Sequence, residues 1–443
     1  GDDWAVVKPV TSGILSRAEL LLLNDGFSLS SPMWPDRSGN SHHGQLGSTA
    51  GSDTNDPVTL KKGSDGKYVW LPGVTGNQLR LSDSAALSVT GDIDLRAKVS
   101  FEDLTRQEGL ISKYYTGSQR AYRFHKSTAG ALAVQWSIDG TTVVAVQQST
   151  VTLGAAGFVE GDTLWVRCTV DVDNGASGAD VTFYTSADGV SWTQLGDVVV
   201  FGSAISFFDS TADVLVGAGY YTPTETEMLL GRIYEAQIYD GIYGTLVLDV
   251  NLNDATEPFS TFTERANSAT VTINRSASGY VSTVVDRNMA VFSTDDYIEV
   301  PDHADLDVGL NEDITILASV RKSLDTASSR AIVHKGDLAS EEYYLLRVDV
   351  DETLAFLQGP TSVRSALDGA IDEQVAYVIA GRRDADTDFT MFTDGVEGTA
   401  ASASAADLTN ASPLYIGARL NTSLEKFFEG EVHAVALFRE ALT

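Results

Sequence analysis

The sequence predicts an all-β protein of two tandem antiparallel jelly-roll β-sandwiches, and three observations predict it. Apolar and polar residues alternate with period two in segments such as Leu164–Val172 and Leu346–Val350, broken by turn residues about every ten positions. No long amphipathic helix appears between them, so the sheets must bury their apolar faces against one another. The third observation is an internal echo. Leu110-Ile-Ser-Lys113, Trp165-Val-Arg-Cys168, Asp188-Gly189, Val214-Leu-Val-Gly217-Ala218 and Gly231 to Tyr239 return in the same order as Ile332-Val-His-Lys335, Tyr377-Val-Ile-Ala380, Asp394-Gly395, Leu414-Tyr-Ile-Gly417-Ala418 and Gly430 to Phe438. The offset falls from 222 (Lys113 to Lys335) through 206 (Asp188 to Asp394) to 199 (Gly231 to Gly430), so length changes fall between motifs.

The 443 residues suit two cores of roughly 200 residues each, and the repeat is too long for a solenoid. In chain order, residues 1–17 match nothing in the second copy and read as an N-terminal arm. The first jelly roll then spans 18–244, opening with Leu20–Leu23 and ending at Asp240-Gly-Ile-Tyr-Gly244. The second spans 245–443 and opens with the strand-like Thr245–Val250. Each Asp-Gly pair sits between β-rich runs and predicts a tight hairpin turn at the same point of each copy.

Composition narrows the function classes. With 43% hydrophobic and 21% charged residues the chain is globular, and its net charge of −31 argues against nucleic-acid binding. Split at residue 245, the halves carry −12 and −19, so neither is basic. Cys168 is the only cysteine, which excludes an intrachain disulfide; its parity with Leu164, Val166 and Val170 predicts burial. The longest aliphatic run, Leu20–Leu23, is too short to span a bilayer, so no membrane insertion is expected.

Leu20-Leu-Leu-Leu-Asn-Asp-Gly26 followed by Asp36-Arg-Ser-Gly-Asn40-Ser-His-His-Gly44-Gln-Leu46 resembles the opening of a laminin-G-like, concanavalin-A-like jelly roll. The closing strand of that superfamily is matched at Gly231–Tyr239 and Gly430–Phe438, and the second opening is degraded to Glu264-Arg-Ala-Asn267. Residues 68 to about 255 resemble minor tail proteins of phages that infect actinobacteria. The match runs through Tyr68-Val-Trp-Leu-Pro-Gly73, Ser84-Ala-Ala-Leu-Ser-Val-Thr-Gly-Asp-Ile-Asp94, Asp171-Val-Asp-Asn-Gly-Ala176 and Asp240-Gly-Ile-Tyr-Gly244. The resemblance implies a virion protein, on the tail or another exposed part of the particle, that adheres to a host envelope glycan. Its implied partners are other virion or tail proteins and that glycan, with a homo-oligomer left open. The alternatives are a purely structural or decorating virion subunit and a carbohydrate-active hydrolase.

Hydrolysis on this fold would need paired carboxylates on one strand face. The only Glu-x-Asp is Glu160-Gly-Asp162, which precedes a strand and lacks a third acid, so no catalytic residue is expected. The six histidines show no metal-ligand spacing in sequence. Related jelly rolls often hold Ca2+ between the opening turn and an Asp of the closing strand, which makes Asp36 and Asn40 the metal candidates; that Asp position reads Tyr234 and His433 here. Glycan binding needs an exposed ring with polar neighbours. The adjacent pairs Tyr114-Tyr115, Tyr220-Tyr221 and Tyr343-Tyr344 are the ligand-binding candidates, since on a strand one ring of each should face away from the core. All six tryptophans precede residue 193, which places adhesion in the first half.

Overall fold

The computed structural model describes residues 17–23, 33–49, 51–222, 224–276, 279–324, 328–340, 342–359, 363–385, 388–402 and 406–442. The expected arm lies outside them except for Arg17, which pairs with Glu440 at 2.8 Å. The chain forms two all-β units, but they are nested rather than tandem. One unit is residues 63–286; the other is assembled from 1–62 and 287–443. We call them the inserted and the split unit.

In the inserted unit the central strands of one sheet run in the order Ala179–Ser186, Thr163–Asp171, Ile93–Phe101, Leu230–Asp240, Tyr68–Pro72 and Thr283–Val285, all antiparallel. The facing sheet contains Leu132–Gly140, Gln119–Lys126, Glu108–Tyr115, Val214–Val216, Leu79–Leu81 and Thr270–Ile273. Alternation fills the space between them. Leu164, Val166, Cys168 and Val170 point inward against residues such as Phe124 and Trp136, while Trp165 and Arg167 take the outer face. Burial raises the pKa of the Cys168 thiol, consistent with a small core hydrophobe.

The split unit repeats the plan. Ala376–Asp384, Ile314–Lys322, Gly430–Phe438, Met289–Phe292 and Val58–Leu60 form one sheet; Gly44–Leu46, Ile298–Val300, Leu414–Ile416, Arg330–Asp337, Glu342–Val348 and Thr353–Gln358 lie in the other. Equivalent backbone positions confirm the repeat. Gly217 and Gly417 both adopt left-handed φ values, +84° and +85°, and each carbonyl accepts from the residue eleven or twelve places on, Leu229 at 3.0 Å and Phe428 at 2.7 Å. Both closing strands bulge at one point, so that Tyr234 and His433 are skipped in the register.

The expected boundary after Gly244 is corrected by the strand pairing. Leu20–Leu23 joins Gly430–Phe438, with Leu20 opposite Leu437 and Leu22 opposite Val435. Thr245–Asn251 instead joins Leu230–Asp240, with Leu248 opposite Ile238 and Val250 opposite Ala236. Each body therefore takes the opening segment assigned by sequence order to the other. The physical reason is that both openings present the same alternation to equivalent strands, so the sequence pattern permits either pairing.

The degraded opening proves to be structurally intact. Asp36 Oδ1 accepts from the N–H groups of Leu21 and Ser38, each at 2.9 Å, and Oδ2 accepts from His42 N–H at 3.0 Å and Ser38 Oγ at 2.6 Å. Glu264 does the same work, accepting from the N–H groups of Asp249, Ala266, Asn267 and Ala269 at 2.7–3.1 Å. Two buried lysines also correspond. Lys113 reaches Asp83 and the carbonyl of Ala212, and Lys335 reaches Asp302 at 2.7 Å and the carbonyl of Ser412 at 2.9 Å.

The two Asp-Gly turns differ. Asp394-Gly395 is the expected two-residue hairpin, with both φ values positive (+49°, +78°) and Thr393 paired with Val396. Asp188-Gly189 lies instead in a longer connection from Thr185 to Thr193, where Asp188 Oδ1 caps the N–H groups of Val190 and Ser191 at 2.8 and 2.7 Å. The side-chain cap substitutes for the tight turn.

Candidate functional site

Two of the six candidate tyrosines line a cleft of about 320 Å3 on the inserted unit, with Arg80, Gln119, Thr211, Ala212, Asp213 and Leu215. Its wall is the end of strand Glu108–Tyr115, past a register shift between Lys113 and Tyr114, where both rings reach the cleft. Tyr114 is buried and Tyr115 is 36% exposed. Gly117 leaves room for it, since a Cβ there would meet the Tyr115 ring and make it shift.

Polar groups converge on the same opening. Arg80 Nε donates to Asp213 Oδ2 at 2.6 Å, and Asp213 Oδ1 accepts from Asp83 N–H at 3.2 Å. Gln119 Oε1 accepts from Thr211 N–H at 2.7 Å, fixing the far rim. Behind the cleft, Tyr114 meets Tyr220 edge-on at 6.0 Å, and the Arg123 guanidinium sits 5.6 and 5.1 Å from those two rings while bonded to Glu227 at 2.6 Å. Burial raises the Tyr114 pKa and that of Glu227. The arrangement offers one exposed ring with a guanidinium, a carboxylate and an amide around it, the mixture that stacks a sugar C–H face and pairs its hydroxyls.

The remaining tyrosines divide. Tyr220 supports the cleft from behind, and the side chain of Tyr221 lies outside the described residues. Tyr343 and Tyr344 correct the rule that one ring of a pair is exposed. Tyr344 is in the core and donates to Leu306 O at 2.9 Å; Tyr343, on the opposite face, is buried with Ala331, Leu345, Ala355 and Leu357. That face carries its own apolar cover, which pair spacing does not reveal.

Asp36 and Asn40 are turn-capping residues. Burial pushes the Asp36 pKa up, but the bonds from Ser38, Leu21 and His42 outweigh it and hold it below the usual carboxylate value. Asn40 Nδ2 donates to Glu19 O at 3.0 Å. An ion at Asp36 would have to displace four donors, so these two side chains do not fit Ca2+. At the closing-strand position, Tyr234 packs on Tyr68 and His433 bonds Ser319 and Glu431, each at 3.3 Å. Glu160 and Asp162 cap loop N–H groups, those of Leu104 at 3.1 Å and Val159 at 2.9 Å.

Sequence reasoning missed a hub on the outer face of the inserted unit. Arg96 and Arg167 each form a bidentate pair with the buried Asp94, and Arg167 also donates to Tyr243 Oη at 2.6 Å. Tyr243 holds φ +56° so that its N–H reaches Asp94 and its ring stands 4.0 Å from Arg167. Trp192 and Tyr239 complete the cover over Arg96. The phrase Asp240-Gly-Ile-Tyr-Gly244 is thus explained by a structural need. One tryptophan also changes place, since Trp34 is buried in the core of the split unit.

Residues 292–443 match the family model described as the concanavalin A-like lectin/glucanases superfamily, a laminin G model. The chain therefore carries a laminin-G-like, concanavalin-A-like jelly-roll domain, and the matched stretch is the second chain segment of the split unit. Among solved structures the chain is similar to domains LG4-5 of the mouse laminin alpha1 chain, at 14% identity and a TM-score of 0.34 over 88% of this chain and 94% of that one. It is also similar to the CBM40 of the Ruminococcus gnavus IT-sialidase bound to alpha2,3 sialyllactose, at 13% identity and a TM-score of 0.28 over 30% and 79%. No curated protein sequence matches the chain.

Proposed function

We propose that this chain is a phage virion protein, carried on the tail or another exposed part of the particle, that binds host envelope glycan through the inserted unit and does not hydrolyse it. The tail assignment rests on the sequence resemblance over residues 68 to about 255. The cleft carries the binding assignment, because Tyr115 is held open to solvent beside Arg80, Asp213 and Gln119. Lectin and glucanase members share the matched superfamily. The loop-capping contacts of Glu160 and Asp162 favour binding over turnover.

Binding of purified protein to host envelope polysaccharide tests this reading. Tyr115→Ala should weaken binding by about tenfold, the scale of a lost ring contact, and Arg80→Ala by a similar factor. Wild-type affinity in both variants would remove the cleft from the function. Reducing-sugar release that Glu160→Gln or Asp162→Asn abolished would make the protein a hydrolase.

A further inference from the structure

We propose that His42, His303 and Asp305 bind a divalent transition ion of the Zn2+ class, and that the ion clips together the two chain segments of the split unit. His42 Nε2 and His303 Nδ1 each lie 3.1 Å from Asp305 Oδ2, and the two rings are 4.4 Å apart. The ligand atoms all fall within 4.8 Å of one another. Tetrahedral ligands about 2.0–2.1 Å from Zn2+ stand roughly 3.3 Å apart, close to the two nitrogen–oxygen spacings of 3.1 Å, and the two imidazole nitrogens, within 4.8 Å of each other, would close on the ion.

The cluster also has a structural use without an ion: His303 Nδ1 accepts the Asp305 N–H at 3.2 Å, closing the turn Ala304–Leu306, and lies 3.1 Å from the Asp305 carboxylate. An ion bound there would take the His303 lone pair from the turn hydrogen bond and be paired with the carboxylate. Two imidazoles with one carboxylate suit Zn2+, Co2+ or Ni2+, whereas Ca2+ prefers oxygen ligands. His42 is buried and His303 is 53% exposed at its side chain, so the site is anchored on one side and open to solvent on the other.

The ligands come from both halves of a divided domain. His42 follows the opening turn, and His303 and Asp305 lie beyond the whole inserted unit. An ion held by all three adds a cross-link between segments otherwise joined by strand pairing and packing, so binding stabilises this unit by mass action.

The test uses the full chain stripped with EDTA, then titrated with Co2+ and Zn2+. One equivalent of Co2+ should bind with visible d–d absorption that Zn2+ bleaches, and Zn2+ should raise a thermal transition that Ca2+ leaves unmoved. His303→Ala and Asp305→Asn should each lose at least tenfold in Zn2+ affinity and most of the thermal shift. His303 is exposed enough for its variant to fold, which melting without metal checks. Equal Zn2+ affinity in the wild type and both variants, or no Co2+ spectrum at millimolar ion, overturns the site.

Discussion

The inserted and split units share a strand plan yet distribute polar chemistry differently. In the inserted unit, strand ends and outer faces carry the cleft tyrosines and the Asp94–Arg96–Arg167 hub. At equivalent places the split unit has Gly336 and Asp337 for Tyr114 and Tyr115, and Thr315 for Asp94. Even the backbone contact is kept, since Tyr243 N–H reaches Asp94 and Leu442 N–H reaches Thr315 Oγ1 at 3.0 Å. Backbone geometry is therefore the invariant of the repeat. The side chains hung on it decide that one unit has an open ring at that strand end and a carboxylate shared by two arginines where the other has a threonine.

The largest expected effect tests the nesting. A chain of residues 63–286 should fold alone, with a cooperative thermal transition, whereas 287–443 alone should not. Losing 1–62 removes the fully buried Leu20, Leu22 and Trp34, at about 1.5–3 kcal/mol each, against a domain stability of about 5–15 kcal/mol. Cooperative melting of 287–443 would reinstate the tandem boundary.

A second measurement sharpens the hub. Arg167→Ala leaves Asp94 short of a partner inside the sheet face and should destabilise the inserted unit by about 3–5 kcal/mol in urea. Thr315→Ala at the equivalent point should lose only about 1–2 kcal/mol, its two neutral hydrogen bonds with Leu442 N–H and Glu440 O. Equal losses would mean that the hub adds nothing beyond its backbone contact.

Acid should separate the units more gently. Burial, with Arg419 and Arg123 adding, lowers the pKa of His334 in the split unit and His125 in the inserted unit to about 3. Both stay neutral when folded, so the stability they support is present above pH 6.5 and is lost as the unfolded histidine protonates below it. Glu108 has the opposite sign. Burial raises its folded pKa to about 7 from 4.5, so its share of stability is present below 4.5 and is lost as pH rises towards 7. Glu102, Glu227 and Glu235 of the inserted unit are raised by burial too. From pH 6.5 to 4.5 the opposing groups offset one another in the inserted unit, and the split unit should lose more melting temperature. Glu108→Gln should bring the two closer; an unchanged gap would exclude this carboxyl.

The smallest contrast lies in the Asp-Gly pairs. Gly395→Ala meets open space and should lose about 1 kcal/mol for its positive φ. Gly189→Ala has the same φ strain and also places Cβ 2.7–3.1 Å from the Trp165 ring, so it should lose more in urea titration.

By itself the sequence determined the sandwich class, the correspondence of Lys113 with Lys335 and Gly231 with Gly430, and the burial of Cys168. These follow from alternation, glycine conformations and turn chemistry, which are local. The opening that reads as degraded is instead a turn capped by Glu264. That one ring of the Tyr114–Tyr115 pair is exposed was legible, and the structure makes it Tyr115. The cover over Tyr343 was not, because it depends on which apolar residues share its face of the sheet. Only the tertiary structure decided which opening strand joins which body and brought His42 to His303 and Asp305. Strand pairing uses backbone groups common to both candidates, and the entropy of closing a longer loop grows only logarithmically with its length, so nearness along the chain does not select the partner.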